Sequence, residues 1–452
     1  MSIETKIIAI DDDPTGSQTV HSCLLLTRWD PQTLTEALED ASPLFFVLSN
    51  TRSMEADRAA AVTREICRNL GTALEGLAAR GRPINPLVVS RSDSTLRGHY
   101  PVETDVIAEE LGPFDAHFLV PAFFEGGRIT RDGVHYLLVD GTPVPVSETE
   151  FARDSVFGYH NAYLPDYVEE KTRGRIPVAE VERFGLGELR DGDLRPRLRA
   201  LQGNACAVVD GERQSDLDAF TRQLLEVAGE GKRFLFRSAA SLLTSLAGLP
   251  PQPVPAAQMG RYVRGARPGV FLVGSHVPTS SRQLQYLLDK TDVQPVEVDL
   301  DRLLSEPEAL RAERLQRLSE AAQQGLSAAL YTSRGERSFA TKAERLAFGE
   351  RISDFLMDLV QSLPADLGFL VSKGGITSND VLSHGLALRT SRVLGQILPG
   401  CSVVRCPADH PRFPDLPVVI FPGNVGSESS LADVYRIFNG RPEKAKADRS
   451  AA

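Results

Sequence analysis

Ile7-Ile8-Ala9-Ile10-Asp11-Asp12-Asp13-Pro14-Thr15-Gly16 is the stretch whose reading decides the fold: an apolar strand runs straight into a polar, glycine-ended loop. The same transition recurs at Phe45-Phe46-Val47-Leu48 into Ser49-Asn50-Thr51-Arg52, at Leu87-Val88-Val89 into Ser90 to Gly98, and at Phe118-Leu119-Val120 into Pro121-Ala122-Phe123. A late set ends in Gly274-Ser275-His276, Thr332-Ser333-Arg334-Gly335, Ser372-Lys373-Gly374-Gly375-Ile376-Thr377 and Pro422-Gly423-Asn424-Val425-Gly426. Helical patterns lie between, among them Pro31 to Asp40, Glu55 to Ala79 and Pro101 to Leu111. Alternating strand and helix argues for a mostly parallel sheet with right-handed crossovers. Ligands of such sheets bind outside the carboxyl ends of the strands. Two such edges imply two ligands, one at an acidic loop and one at a glycine-rich loop.

The chain has 452 residues, too many for one ordinary core. The fold expected is α/β in two domains, each a mostly parallel sheet flanked by helices, with an interdomain active-site cleft. The first domain is expected over 1–250, with an irregular insertion or cap at 131–195. A linker follows at 251–267, where Pro250, Pro251, Pro253 and Pro255 cannot propagate helix or central strand. The second domain is expected over 268–438 and a frayed tail over 439–452.

Hydrophobic residues are 42%, charged residues 24% and the formal charge −10, the balance of a soluble protein that repels polyanions. No basic stripe offers a nucleic-acid surface and no run reaches membrane-span length. No secretory signal is evident at the start, and the five cysteines are scattered, which fits a cytoplasmic setting. Cys401 and Cys406 sit an odd number apart on one strand, so opposite faces are expected and no zinc or redox role. A homodimer is the commonest oligomer and the one expected.

Asp11-Asp12-Asp13 could hold Mg2+, accept a proton from a substrate hydroxyl or bind sugar hydroxyls; the plainer reading is an acidic turn with its own Asx hydrogen bonds. Ser90 to Gly98 packs two Arg, three Ser, one Thr and one Asp into nine positions, a cluster suited to an anionic, hydroxylated small molecule. Arg52, on the neighbouring strand edge, adds a second cation. Glu125-Gly126-Gly127-Arg128 and Glu148-Thr149-Glu150 are placed to close over the same edge or to be ordinary loops. His99, His135 and His160 lack metal-ligand spacing and read as packing residues. Lys373 to Asn379 precedes a helix carrying Val381, Leu382, Gly385, Leu386 and Leu388. Its glycines let backbone amides approach a phosphate at a helix N-terminus. Gly423-Asn424 offers a second amide-rich turn. Neither loop has the spacing of a P-loop, and no Gly-x-Gly-x-x-Gly follows the first strand, which disfavours an NAD-dependent dehydrogenase.

Asp12-Asp13-Pro14-Thr15-Gly16, Ser94-Thr95-Leu96-Arg97-Gly98, Gly374-Gly375-Ile376-Thr377 and Phe421-Pro422-Gly423-Asn424-Val425-Gly426 together resemble the four-carbon acid sugar kinase family, over Asp11 to about Val434. The resemblance implies ATP-dependent phosphorylation of a short sugar acid at its terminal hydroxyl, with an N-terminal sugar-acid domain and a C-terminal ATP domain. It places Asp12 and Asp13 on the acidic turn, Arg52 on the second strand loop, and Asp93, Ser94, Thr95 and Arg97 on the substrate loop. Ser275, Gly374, Gly375, Ile376, Thr377 and Gly423, with Asn424 beside it, fall on nucleotide-contact positions. Asp12 or Asp13 would bind or activate the hydroxyl. Arg97, with Arg52 or Arg91 assisting, would meet the carboxylate and serve catalysis, and Mg2+ would bridge the ATP phosphates. The turn continues Ser17-Gln18-Thr19-Val20-His21 where many members have Ala and Asp; His99-Tyr100-Pro101 and Glu148 to Lys171 are also distinctive. These departures lie on the substrate side, which leaves open threonate, erythronate, an oxo-tetronate or a branched relative such as 3-oxo-isoapionate. A non-catalytic sensor of sugar acid and nucleotide is the alternative from another class.

Overall fold

The computed structural model describes residues 4–334 and 341–440 and divides into two compact units, Met1–Pro251 and Gln252–Ala452. In the first unit the opening strands are β1 (Glu4–Asp11), β2 (Leu24–Leu26), β3 (Leu44–Leu48), β4 (Ile84–Arg91) and β5 (Ala116–Val120). A small antiparallel sheet follows, β6 (Arg128–Arg131), β7 (Val134–Val139) and β8 (Thr142–Pro145). The main sheet is completed by β9 (Glu182–Phe184), β10 (Ala205–Val209) and β11 (Phe234–Ser238). Its order is β2-β3-β1-β4-β11-β5-β10-β9, with every neighbouring pair parallel.

Apolar residues on both sides of these strands explain why helices cover both faces. Phe45 and Val47 of β3 and Ile8 and Ile10 of β1 pack with Val62, Ile66, Leu70 and Leu77 of the helix Ala56–Ala79. With Ala73 included, they recur at three- and four-residue steps, the buried stripe of an amphipathic helix. The helix Pro31–Leu38 starts where Asp30 accepts a hydrogen bond from the Thr33 amide, with proline in its first turn. On the other flank Phe118 sits among the rings of Phe184, Phe220, Phe234 and Phe236. Truncating such a buried side chain costs about 3–5 kcal/mol.

Residues 131–195, expected as irregular, are folded. Asp132-Gly133 and Asp140-Gly141 have positive φ at all four positions (53°, 78°, 50° and 80°), the backbone of two-residue type I′ hairpins. These turns join β6 to β7 and β7 to β8. Beyond them the helix Leu164–Thr172 buries Leu164, Tyr167 and Val168 against Leu96 and Tyr100, beside Val146 and Tyr159. The segment is a cap packed onto the loop after β4.

The second unit contains β12 (Val270–Val273), β13 (Gln294–Val298), β14 (Ala328–Thr332), β15 (Leu370–Lys373), β16 (Thr390–Leu398), β17 (Cys401–Arg405) and β18 (Pro417–Phe421). Their order is β13-β14-β12-β15-β18-β17-β16. Pairing is parallel from β13 to β18 and antiparallel from β18 through β17 to β16, so this sheet is mixed. The antiparallel flank arises because β16 turns directly into β17 at Pro399-Gly400, a connection too short for a crossover. Cys401 and Cys406 are buried free thiols.

Residues 252–267 are packed into this unit. The Gln252 amide donates to the Gln396 carbonyl at 3.0 Å and its Oε1 accepts the Gln396 amide at 2.9 Å, while Met259 is fully buried in the core beside Phe271. The helix expected after Lys373 is short, Gly375–Asp380, and continues as a single π-helical turn, Val381–Gly385. Gly335 and most of the tail expected over 439–452 lie outside the described residues.

Candidate active site

The carboxyl ends of β1, β3, β4 and β11 bring the acidic turn and the loop after β4 together. Asp11 is wholly buried at the end of β1, and Gly16 turns back across it. A Cβ at Gly16 would stand 1.8 Å from Asp11 Oδ2, so only glycine allows that approach. Asp12 is almost as deep, its side chain 2% exposed. Arg52 holds it in two places, Nη2 donating to Oδ1 at 2.5 Å and Nε to Oδ2 at 3.3 Å, and Ser92 Oγ donates to Oδ2 at 2.9 Å. Asp13 is different: its side chain is 21% exposed. Its Oδ1 accepts from the Thr15 amide and hydroxyl, and its Oδ2 lies 3.6 Å from Arg52.

Arg52 also lies 3.8 Å from Asp93, whose other oxygen accepts from Arg97 Nε at 2.8 Å and from the Thr95 hydroxyl. Burial opposes charge on Asp93, but the Arg52 and Arg97 guanidiniums outweigh it and hold the carboxyl well below the usual range. Arg97 is packed over the Phe151 ring at 4.8 Å and faces Asp154 at 3.8 Å. Arg91, expected to assist it, points beneath the turn. It is buried, 3.6 Å from Asp11, and its Nε finds no partner among the described residues.

Three cap side chains fix the loop after β4 by its carbonyls. His135 Nε2 donates to Ser94 O at 2.8 Å, Tyr159 OH to Thr95 O at 2.7 Å and Tyr167 OH to Leu96 O at 2.8 Å. Burial pushes His135 down to about 4, so its ring is neutral; Nε2 carries the proton and Nδ1 accepts from Thr130 Oγ1 at 2.9 Å. Gly98 has φ of 123°, and a Cβ there would stand 2.6 Å from Arg237 Nη2 and 2.7 Å from Ser92 Oγ. Arg237 and its buried partner Glu103, 2.5 Å apart, were not expected from sequence. The signal was slight: one cation behind the apolar run Phe234-Leu235-Phe236. Ser92, Asp93, Leu96, Arg97, Tyr167 and Arg237 line a small depression at this edge. His99 packs edge-on against Phe157 at 4.9 Å, and His160 is exposed beside Glu170.

In the second unit the glycine-rich loops after β12, β15 and β18 converge. A Cβ at Gly274 would stand 2.2 Å from Thr377 Oγ1, one at Gly374 3.1 Å from Ser275 Cβ, and one at Gly423 2.9 Å from Ser275 Oγ. Gly374 also has φ of 120°, a conformation that favours glycine. Ser280 Oγ ties the set, donating to Gly423 O at 2.9 Å and lying 3.0 Å from the Ser275 hydroxyl. Gln283 donates to Val425 O and Ser427 O. Ile376 is 68% exposed at the start of the short helix. Asn424, one residue beyond Gly423, is exposed. Lys373 stays inside: Nζ donates to Pro422 O at 2.6 Å and lies 4.0 Å from the Phe421 ring centre, and burial pushes it down to about 7. Arg334, two residues beyond β14, donates to the Val273 and Ser275 carbonyls, a contact the sequence did not announce.

Comparison with known proteins agrees with this division. A family model described as a sugar-binding N-terminal domain matches residues 7–246, and one described as a nucleotide-binding C-terminal domain matches residues 270–431. A D-threonate kinase of Salmonella typhimurium LT2 is 25% identical over 95% of this chain and 97% of its own. A D-threonate kinase of Cupriavidus necator is 28% identical over 78% of this chain and 80% of its own. A D-erythronate kinase of Heliobacterium modesticaldum is 31% identical over 47% of each, so that match spans about half its length. Among solved structures, a Salmonella typhimurium LT2 chain superposes with a TM-score of 0.69 at 19% identity, covering 97% of this chain and 100% of that one. A Haemophilus influenzae chain gives 0.65 at 18% identity, covering 96% and 100%; both show a shared fold. With a sugar-binding domain in front, a nucleotide-binding domain behind and the family's loops at both sheet edges, the chain belongs to the four-carbon acid sugar kinase family, ATP-dependent phosphotransferases that act on a carbohydrate acid.

Proposed function

We propose that this chain transfers the γ-phosphoryl group of ATP to the terminal hydroxyl of a four-carbon or closely related sugar acid. The observation that carries the reading is the interlocked array of Asp12, Asp13, Asp93, Arg52 and Arg97 at the sheet edge of a sugar-binding unit. Asp12 is committed to Arg52 and Ser92, and so positions the array. Asp13 keeps one oxygen largely open and is the better acceptor for the hydroxyl proton. Ser94, Thr95 and Asp93 supply polar contacts to the substrate hydroxyls, and Arg97 spreads positive charge beside them. As the new P–O bond forms and the β,γ-bridging P–O bond breaks, the proton passes to Asp13 and ADP leaves. Such a transfer needs chiefly positioning and charge neutralisation.

ATP is assigned to the amides and hydroxyls of Ser275, Gly374 to Thr377, Gly423 and Asn424, with the γ-phosphate near the N-terminus of Gly375–Asp380. Mg2+ is assigned to the phosphates. No group of three or more His, Cys, Asp or Glu among the described residues is placed to hold a metal. This suits an ion that keeps its waters and rides on the nucleotide. Ser275 and Thr377 hydroxyls are the protein groups that would face it, and the ion would supply neutralisation of phosphate charge.

ADP release measured with ATP, Mg2+ and a panel of four-carbon aldonates and oxo-acids tests the reading. Turnover with at least one acid is expected, and Asp13→Asn should lower kcat about a hundredfold or more. Tight binding of acid and nucleotide without any ADP release would replace the kinase by a sensor.

A further inference from the structure

Five arginines stand at the carboxyl edge of the first unit's sheet, and four already face acids. Arg52 meets Asp12, Asp13 and Asp93; Arg91 meets Asp11; Arg97 meets Asp93 and Asp154; Arg237 meets Glu103. Arg128 has no ion pair with any described residue. Its Nη1 donates to Gly126 O two residues back, its Nε is buried without a partner among the described residues, and its guanidinium lies 6.0 Å from the Phe123 ring centre. Asp93, Arg97 and Glu150 are close enough to act on it electrostatically, which places it beside the substrate loop.

The chain is built to hold it there. Phe123 and Arg128 exchange two backbone hydrogen bonds, at 3.0 and 2.8 Å, just after β5 leaves the sheet. Gly127 takes a φ of 72°, and a Cβ on Gly126 would stand 2.5 Å from both Arg128 Nη1 and the Phe123 ring. The two glycines thus let the guanidinium fold back at the first residue of β6. A partly buried cation with no carboxylate in direct contact is costly, and that cost is relieved when one arrives. A guanidinium also offers a planar fork to both carboxylate oxygens.

We propose that Arg128 receives the carboxylate of the substrate, leaving Arg97, already neutralised by Asp93 and Asp154, to order the hydroxyl end. The inference rests on the sugar-acid kinase reading above. It makes Arg128 the residue that selects acids over neutral polyols of the same length.

The test is Arg128→Gln and Arg128→Lys in the full chain. KM and kcat for the four-carbon aldonate that the wild type turns over, and KM for ATP, would be compared with melting temperatures. For Arg128→Gln the KM of the acid should rise at least about tenfold, with kcat and the KM of ATP within about threefold. Lys keeps the charge but loses the fork, so Arg128→Lys should show a smaller rise at an unchanged melting temperature; it also decides the matter if Arg128→Gln fails to fold. An unchanged KM for the acid in the folded variants, or a fall in kcat alone, would overturn the assignment. If the wild type turns over no acid, the kinase reading fails by itself. Calorimetric titration with D-threonate and D-erythronate then still judges Arg128: a dissociation constant raised tenfold by Arg128→Gln supports it, and equal or absent binding in both proteins rejects it.

Discussion

Asp11, Asp12 and Asp13 are three consecutive carboxylates with three environments, and depth alone separates them. Burial pushes Asp11 up to about 8, Arg91 opposes that rise, and the charges of Asp12 and Asp13 add to it. In the unfolded chain the same group loses its proton near 4. Between those values the native state binds more protons than the unfolded state, so this residue's contribution to stability falls as pH rises from about 4 to 8 and is level above. Asp11→Asn keeps an acceptor for the Asp13 amide and removes the titration. Urea midpoints at pH 5 and pH 8 should show the variant gaining on the wild type with pH, by a few kcal/mol at most; parallel curves would show that Asp11 is charged in the folded state. The acid triplet was readable because it follows an apolar run. Which acid stays partly exposed was not, since Arg52 and Ser92, 40 and 80 positions further on, cover Asp12. Arg91 shows the same limit, because alternation along β4 sends it beneath the turn, a direction decided by the register of β1 against β4.

At the scale of elements, the strand ends after β1, β3, β4, β12, β15 and β18 stand where the sequence puts them, because long apolar runs bounded by Gly, Pro and Asp are strong signals. The cap was legible only in part. Asp132-Gly133 and Asp140-Gly141 between short apolar runs spell two hairpins, but their strands are four to six residues long and crowded with charge, which masks the alternation. The antiparallel flank β16–β18 was missed for a related reason: Val403 and Val404 beside Val418 and Val419 suit either direction of pairing. The cap matters because its side chains hold the carbonyls of the loop after β4. Replacing His135 by Ala leaves Ser94 O without its buried donor and Thr130 without an acceptor, a cost of about 1–3 kcal/mol for each group left unpaired. His135→Ala should therefore raise the KM of the acid with little change in that of ATP, and lower the urea midpoint. Equal KM values in the two proteins would mean that the Tyr159 and Tyr167 contacts suffice.

For the whole molecule, the two compact units carry separate chemistries, acid groups at one sheet edge and amides at the other. Ligand-linked protection should report that division. A ligand that binds only the native state stabilises it by RT ln(1 + [L]/Kd), about 2.7 kcal/mol at a hundred times Kd, and the amides it touches exchange more slowly. Hydrogen exchange read by mass spectrometry should show the sugar acid slowing peptides that contain residues 11–17, 92–98 and 123–128. A non-hydrolysable ATP analogue with Mg2+ should slow those containing 274–280, 374–380 and 422–427. The peptide 123–128 discriminates best, because it follows the acid only if Arg128 is in contact with it. Peptides from the core of the helix Ala56–Ala79, whose buried stripe faces β1 and β3, should respond to neither ligand beyond the global stabilisation. Protection of 92–98 by the nucleotide alone, or of 374–380 by the acid alone, would exchange the assignments of the two edges and with them the direction of phosphoryl transfer drawn here.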